Sequence, residues 1–142
     1  KAFIYGLIHR AIQLKPLSVV ANGKKIYLFG GTDGTTYYNT IHVFDPETET
    51  LSTLSAKLPK GVAHACATAV GTKIYIIGGY DGTNYHNEIS MFDTATQTLT
   101  EAPFVLPMPN AYSTCETIGT KIYTFGGVNG YGEHGLVCVQ GT

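Results

Sequence analysis

Short apolar runs separated by polar, glycine-marked breaks set the rhythm of this chain. The segment IYIIGGYDGTNYHNEISMFD, Ile74 to Asp93, opens as an apolar run, stops at Gly78-Gly79 and resumes as a second run ending in aspartate. Related segments begin at Ile26 and Ile122, and the diglycines Gly30-Gly31, Gly78-Gly79 and Gly126-Gly127 are 48 residues apart both times. Between Gly23–Leu51 and Gly71–Leu99, 17 of 29 aligned positions are identical, which chance does not produce. A repeat of this length is one supersecondary unit that cannot bury its apolar faces alone and must stack on its neighbours.

Each period predicts four strands, labelled a to d. Strand a of the middle repeat is VAHACATAV, Val62 to Val70. Side chains on a strand alternate between faces, so Ala63, Ala65, Ala67 and Ala69 share one face, suited to close approach. Strand b reads KIYII from Lys73, KIYLF from Lys25 and KIYTF from Lys121. It is apolar on both faces, so both must be covered. Strand c is EISMFD (Glu88 to Asp93), matching TIHVFD from Thr40, and the weaker strand d is TLTEA (Thr98 to Ala102), matching TLSTL from Thr50. The NGK and GTK links between a and b, and DPETET and DTATQT between c and d, are turn formers that demand antiparallel neighbours. The best helix candidate, FIYGLIHRAIQL, contains Gly6 and falls in register with strand d. Four antiparallel strands, the inner ones covered and the outer one more polar, describe a β-propeller blade. A strand solenoid is the rival architecture, but its repeats are shorter and its strands parallel.

The period near 50, the diglycine closing strand b and the pairs Phe44-Asp45 and Phe92-Asp93 ending strand c resemble the kelch repeat, over essentially the whole chain. The departures are Phe44 and Phe92 where the family usually has tyrosine, and Leu51 and Leu99 where it usually has tryptophan. The arginine common before strand a is also missing, with Lys15, Ala63 and Ala111 nearby. The resemblance implies an all-β fold of kelch-type propeller blades, each of four antiparallel strands. In this register residues 1–14 form the outer strand of a preceding blade and a linker, residues 15–62 and 63–110 form two blades, and residues 111–142 form an incomplete third. In that third blade Leu136 to Gln140 is strand c. Propellers close with roughly four to eight blades. About three blades' worth of strands therefore calls for ring completion, by missing blades of the same chain or by another chain.

Composition narrows the function. With 142 residues, 44% apolar and 13% charged, the chain is expected to fold as a soluble domain with a core. A net charge of -1 and nine scattered Lys and Arg argue against nucleic acid. No apolar run approaches bilayer length, so no membrane partner is expected. The opening KAFIYGLIHRAIQLKP imitates a signal peptide, but its apolar run is short, His9 and Arg10 follow at once, and no A-x-A-like end is present. The first residue is Lys, so the sequence reads as a fragment. Cys66, Cys115 and Cys138 lack C-x-x-C spacing and lie in strand runs, reading as reduced structural thiols in a cytoplasmic protein.

In such a blade the b-c and d-a links emerge at one end and the a-b and c-d links at the other. The b-c links are the longer ones: TDGTTYYN from Thr32, YDGTNYHN from Tyr80 and VNGYGEHG from Val128. They offer Tyr37, Tyr38, Tyr80, Asn84, Tyr85, His86, Asn129, Tyr131 and His134 as candidate partner-binding residues, since tyrosine combines contact area with a hydrogen bond at low entropic cost. Asp33-Gly34, Asp81-Gly82 and Asn129-Gly130 read as turn formers, and Asn39 and Asn87 as side chains bonding local backbone. His64 and His42 read as satisfied core histidines. His86 and His134 match across the repeat but have no partner at metal-ligand spacing, so no metal site is expected. No catalytic motif or phosphate loop occurs, and no cofactor is implied. The expected function is protein or peptide binding, as an adaptor or scaffold. The alternatives are a propeller enzyme of carbohydrate or small-molecule chemistry and a structural subunit of a large assembly. The resemblance implies roles such as substrate recognition in cullin-type ubiquitin ligases or cytoskeletal scaffolding. Active residues of the kelch-like copper oxidases and sialic acid mutarotases have no counterparts on matching motifs here.

Overall fold

The computed structural model describes residues 17–129 and 137–140. The outer strand expected within residues 1–14 lies outside them. The first sheet has order β1-β2-β3-β4, from Ser18–Asn22, Lys25–Phe29, Thr40–Asp45 and Thr50–Lys57. The second has order β5-β6-β7-β8, from Cys66–Val70, Lys73–Ile77, Ile89–Asp93 and Thr98–Glu101. A third places β10 (Lys121–Phe125) between β9 (Thr114–Ile118) and β11 (Val137–Gln140). All neighbours are antiparallel, so these are propeller blades with four, four and three described strands.

Strand b sits where its two apolar faces require. In β6, Ile74, Tyr75, Ile76 and Ile77 are all buried, because alternate side chains face different neighbouring sheets. Toward the first sheet, Ile74, Ile76 and Phe92 pack on Tyr27, Phe29, Ile41 and Val43. The Phe92 ring lies 5.6 Å from that of Tyr27 and 5.9 Å from that of Phe29. Toward the third, Tyr75, Ile77 and Ile89 pack with Cys115 and Ile122. Each fully buried Ile or Phe contributes about 1.5–3 kcal/mol, so these interfaces dominate cohesion. The a strands β1, β5 and β9 lie side by side, and Thr68 and Thr117 share a 2.8 Å hydroxyl hydrogen bond between them. Cys66 and Cys115 are free thiols in hydrogen-bond contact there, which pulls the Cys66 thiol below its usual pKa and pushes that of Cys115 up.

Two sequence expectations are corrected. Strand a of the middle blade begins at Cys66 rather than Val62, because His64 adopts a left-handed φ of 61° that breaks the extended run. Ala65, Ala67 and Ala69 keep the shared face, while Ala63 forms a separate bridge with Tyr80. Strand d of the first blade is longer than TLSTL, reaching Lys57 through an irregularity in its pairing with β3 between Thr40 and His42.

The diglycines anchor each blade to the link that leaves it. Gly31 N–H donates to Val62 O and Gly79 N–H to Asn110 O, both at 2.8 Å, tying the end of each strand b to the segment that follows its blade. Gly30 and Gly78 hold φ of 69° and 67°, and a Cβ at either would collide with that same carbonyl oxygen. Glycine is required here for both reasons.

Candidate interaction face

The b-c loops and d-a segments meet at one end of the sheets. Tyr38 N–H donates to Gly31 O at 2.9 Å and Val62 N–H to Tyr38 O at 3.2 Å. At the other end the a-b and c-d links meet, where Asn22 Nδ2 donates to Gly71 O at 2.9 Å and Thr94 Oγ1 to Thr72 O at 2.8 Å.

An aspartate organises each of the first two b-c loops. Asp33 Oδ1 accepts from the N–H groups of Thr35 (2.9 Å) and Thr36 (2.7 Å), and Asp81 Oδ1 from those of Thr83 (2.8 Å) and Asn84 (2.7 Å). The second carboxylate oxygen takes a different partner in each blade: Tyr38 Oη donates to Asp33 Oδ2 at 2.9 Å, whereas His86 Nε2 lies 2.8 Å from Asp81 Oδ2. Burial raises the Asp81 pKa, but the Asn84 and Thr83 amides and His86 outweigh it and hold the carboxyl down at about 2. His86 Nδ1 also faces Glu88 Oε1 at 3.4 Å, and Lys60 Nζ reaches Glu88 Oε2 at 3.1 Å.

Aromatic rings gather above this frame. Tyr37 meets Tyr80 edge-on with centroids 5.9 Å apart, and Tyr80 meets Tyr85 at 4.7 Å. Tyr37 also lies over Gly82, where a Cβ would strike its ring. Beside them His64 stacks on Tyr112 at 3.8 Å and 29°. Both hold left-handed backbone, with φ of 61° and 63°. Burial lowers the His64 pKa, so the ring is neutral at pH 7. Burial raises the pKa of the Tyr112 hydroxyl, with further contributions from Tyr85, Tyr37 and Tyr80.

The structure thus brings together Tyr37, Tyr80 and Tyr85 of the sequence candidates and leaves Asn84 on the rim of the groove described below. Tyr38 turns its hydroxyl back onto Asp33 within its own loop. His86 is drawn inward to 12% side-chain exposure between two carboxylates, and Asn129 is buried near the Met108 sulfur, so neither is presented. Tyr131 and His134 lie outside the described residues. Three smaller expectations change. His64 stands outside the strand, half-buried in a ring stack, and is no core histidine. His42 is half-buried and shares a 3.0 Å hydrogen bond with Thr53. Asn87 Nδ2 reaches Leu106 O at 3.4 Å on the d-a segment rather than local backbone. Sequence reasoning missed His64 and Tyr112. Their signal was a pair of aromatic rings 48 residues apart in the d-a links.

Between the first two blades, Leu58, Lys60 and Val62 face Ile76, His86, Glu88 and Ser90 across a cavity of about 60 Å3. Above it an open groove runs between Tyr37 and Lys60 on one side and Asp81 and Asn84 on the other. Comparison with family models finds a match over residues 15–140 to the KLHDC2/KLHL20/DRC7 Kelch-repeats domain. The chain belongs to the kelch-repeat family. No curated protein matches it. The diglycine junctions are therefore those of a kelch propeller module. Among the described residues of this kelch chain, no group of three His, Cys, Asp or Glu could hold a metal ion, and no helix is long and apolar enough to cross a membrane.

Proposed function

We propose that the b-c and d-a end of this kelch module docks a protein or peptide partner, in an adaptor or scaffold role. The observation that carries the proposal is the cluster of Tyr37, Tyr80, Tyr85, Tyr112 and His64, drawn from two b-c loops and two d-a segments. Rigid aromatic rings beside an open groove suit interface anchors, because they give large contact area for little lost rotamer freedom. The titratable groups at this end are committed to loop structure: Asp33 to its turn, Asp81 to His86, and Glu88 to Lys60. That supports binding over catalysis.

The test is selection of random linear peptides on the immobilised protein, then calorimetry of enriched peptides on the wild type, Tyr80→Ala and Thr96→Ala. Loss of at least tenfold in affinity at Tyr80 with none at Thr96, in the opposite-end c-d link, is expected. Failure to enrich any peptide, or equal losses at both positions, would overturn the reading. A second part of the proposal is ring completion by further blades. Phe125 is 49% exposed, while the matching Phe29 and Ile77 are 1% exposed beneath the next sheet. The free thiols Cys66 and Cys115 support a reducing, cytoplasmic setting for the module.

A further inference from the structure

We propose that the aromatic cluster takes a cationic group, an arginine, lysine or quaternary ammonium carried by the partner, seated on the Tyr112 ring and flanked by Tyr80 and Tyr85. This rests on the reading of the same face as a binding surface and adds the chemistry of what it selects.

Tyr112 is 51% exposed although one side of its ring is covered by His64, so the opposite side is available to a ligand. A tyrosine ring carries negative charge density on its face, and cations within about 6 Å of the centroid are attracted to it. Tyr80 is held beside this stack by paired 2.9 Å backbone bonds with Ala63, the residue before His64, and its ring meets those of Tyr37 and Tyr85. His64 beneath the ring is neutral at pH 7 and does not repel a cation.

Carboxylates outnumber the ammonium around the groove. Asp81 lines the groove with Tyr37 and Asn84, Glu88 lines the cavity beneath it, and both carboxyls are held below the usual range. Lys60, the cation flanking the groove, ends on Glu88 at 3.1 Å. An anionic partner would meet this surface at a disadvantage.

The backbone gives an independent indication. His64 and Tyr112 both sit at a φ that glycine adopts freely and other residues adopt only under strain. Both strained d-a positions carry the rings that stack, and the strain holds the platform in place.

The test uses tetramethylammonium chloride as the probe, with sodium chloride as ionic-strength control and 3,3-dimethyl-1-butanol as a neutral isostere. Ring resonances of carbon-13 tyrosine-labelled protein are followed by NMR. Saturable shifts at Tyr80, Tyr85 and Tyr112 with the ammonium, and about fivefold weaker binding of the alcohol, are expected. Tyr112→Phe should retain the response, since the ring and not the hydroxyl binds, and Tyr112→Leu should lose it. Equal binding of the alcohol, or loss in Tyr112→Phe matching that in Tyr112→Leu, would overturn the proposal. If the ammonium shifts nothing while selected neutral or acidic peptides still depend on Tyr80, the cation preference falls and the binding face stands. If no peptide is selected, the binding face itself falls.

Discussion

Gly78→Ala separates two effects that the diglycine combines. Gly30, Gly78 and Gly126 occupy matching positions with φ of 69°, 67° and 70°, so a methyl group at any of them meets the same backbone penalty. For a residue with Cβ in the left-handed region that penalty is about 1–2 kcal/mol. The surroundings differ. At Gly78 the new Cβ collides with the Asn110 carbonyl, whereas at Gly126 it meets no described atom within 4 Å. Accommodating the methyl group at Gly78 means moving the d-a segment away, which breaks the 2.8 Å bond from Gly79 N–H to Asn110 O and strains the 3.0 Å bond from Asn110 N–H to His86 O. A buried backbone group left unpaired costs about 1–3 kcal/mol. The expected losses are therefore about 2–5 kcal/mol for Gly78→Ala and about 1–2 kcal/mol for Gly126→Ala. Urea denaturation followed by far-UV circular dichroism reads the difference. With a slope of about 2 kcal/mol per molar, the midpoints should be separated by about 1 M. Gly30→Ala, which meets the Val62 carbonyl, should fall with Gly78→Ala. Equal losses at Gly78 and Gly126 would refute the claim that close approach of the d-a segment, and not φ alone, fixes glycine at strand b's end.

Three further outcomes are expected. Asp81 has a folded pKa of about 2, below its unfolded value of 3.8, so its contribution is present above about pH 4 and disappears as pH falls toward 2. Discounted for solvent screening it amounts to about 1 kcal/mol, and Asp81→Asn should lose that much at pH 7 and flatten this part of the stability profile in denaturation across pH. Glu49→Gly relieves a left-handed φ of 55° in the exposed c-d turn, and should stabilise the protein by about 0.5–1 kcal/mol in thermal unfolding. Phe29→Ala should destabilise by about 3–5 kcal/mol and the matching Phe125→Ala by under about 1.5 kcal/mol, because Phe29 is 1% exposed and Phe125 is 49% exposed.

Strand b could be read from sequence without error at Lys25–Phe29, Lys73–Ile77 and Lys121–Phe125, because a short run apolar on both faces has few alternatives to a covered inner strand. Strand a could not be delimited. Period-two alternation continues unbroken from Ala63 to Ala69 in the sequence, and the reversal at His64 changes φ without changing residue type in any way that composition records. The binding face divides along the same line. Tyr37, Tyr80 and Tyr85 were visible as tyrosines in long links. Tyr112 and His64 owe their place to backbone strain in a short segment. The inward turn of His86 depends on a bond back to Asp81 across the loop, which spacing alone does not reveal.

At both ends of the sheets the turn frame repeats while residues on it change, and at the b-c and d-a end the change bears on function. In the c-d turns the bonds repeat although Pro46, Glu47 and Glu49 become Thr94, Ala95 and Gln97: Asp45 and Asp93 each accept an amide two residues on at 2.9 Å, Thr48 with Thr50 and Thr96 with Thr98 share hydroxyl bonds of 2.7 and 2.8 Å, and Glu49 and Gln97 hold φ of 55° and 57°. At the b-c and d-a end the supporting bonds of Asp33 and Asp81 repeat, but the residues above them differ, with Thr32 against Tyr80, Tyr38 against His86 and His64 against Tyr112. A ligand spanning several equivalent loops could not fix its register, because each blade would offer the same contacts. Variation placed on a repeated frame removes that degeneracy while the Asp-centred turns keep both loops equally rigid, so a partner pays ordering entropy only on its own side.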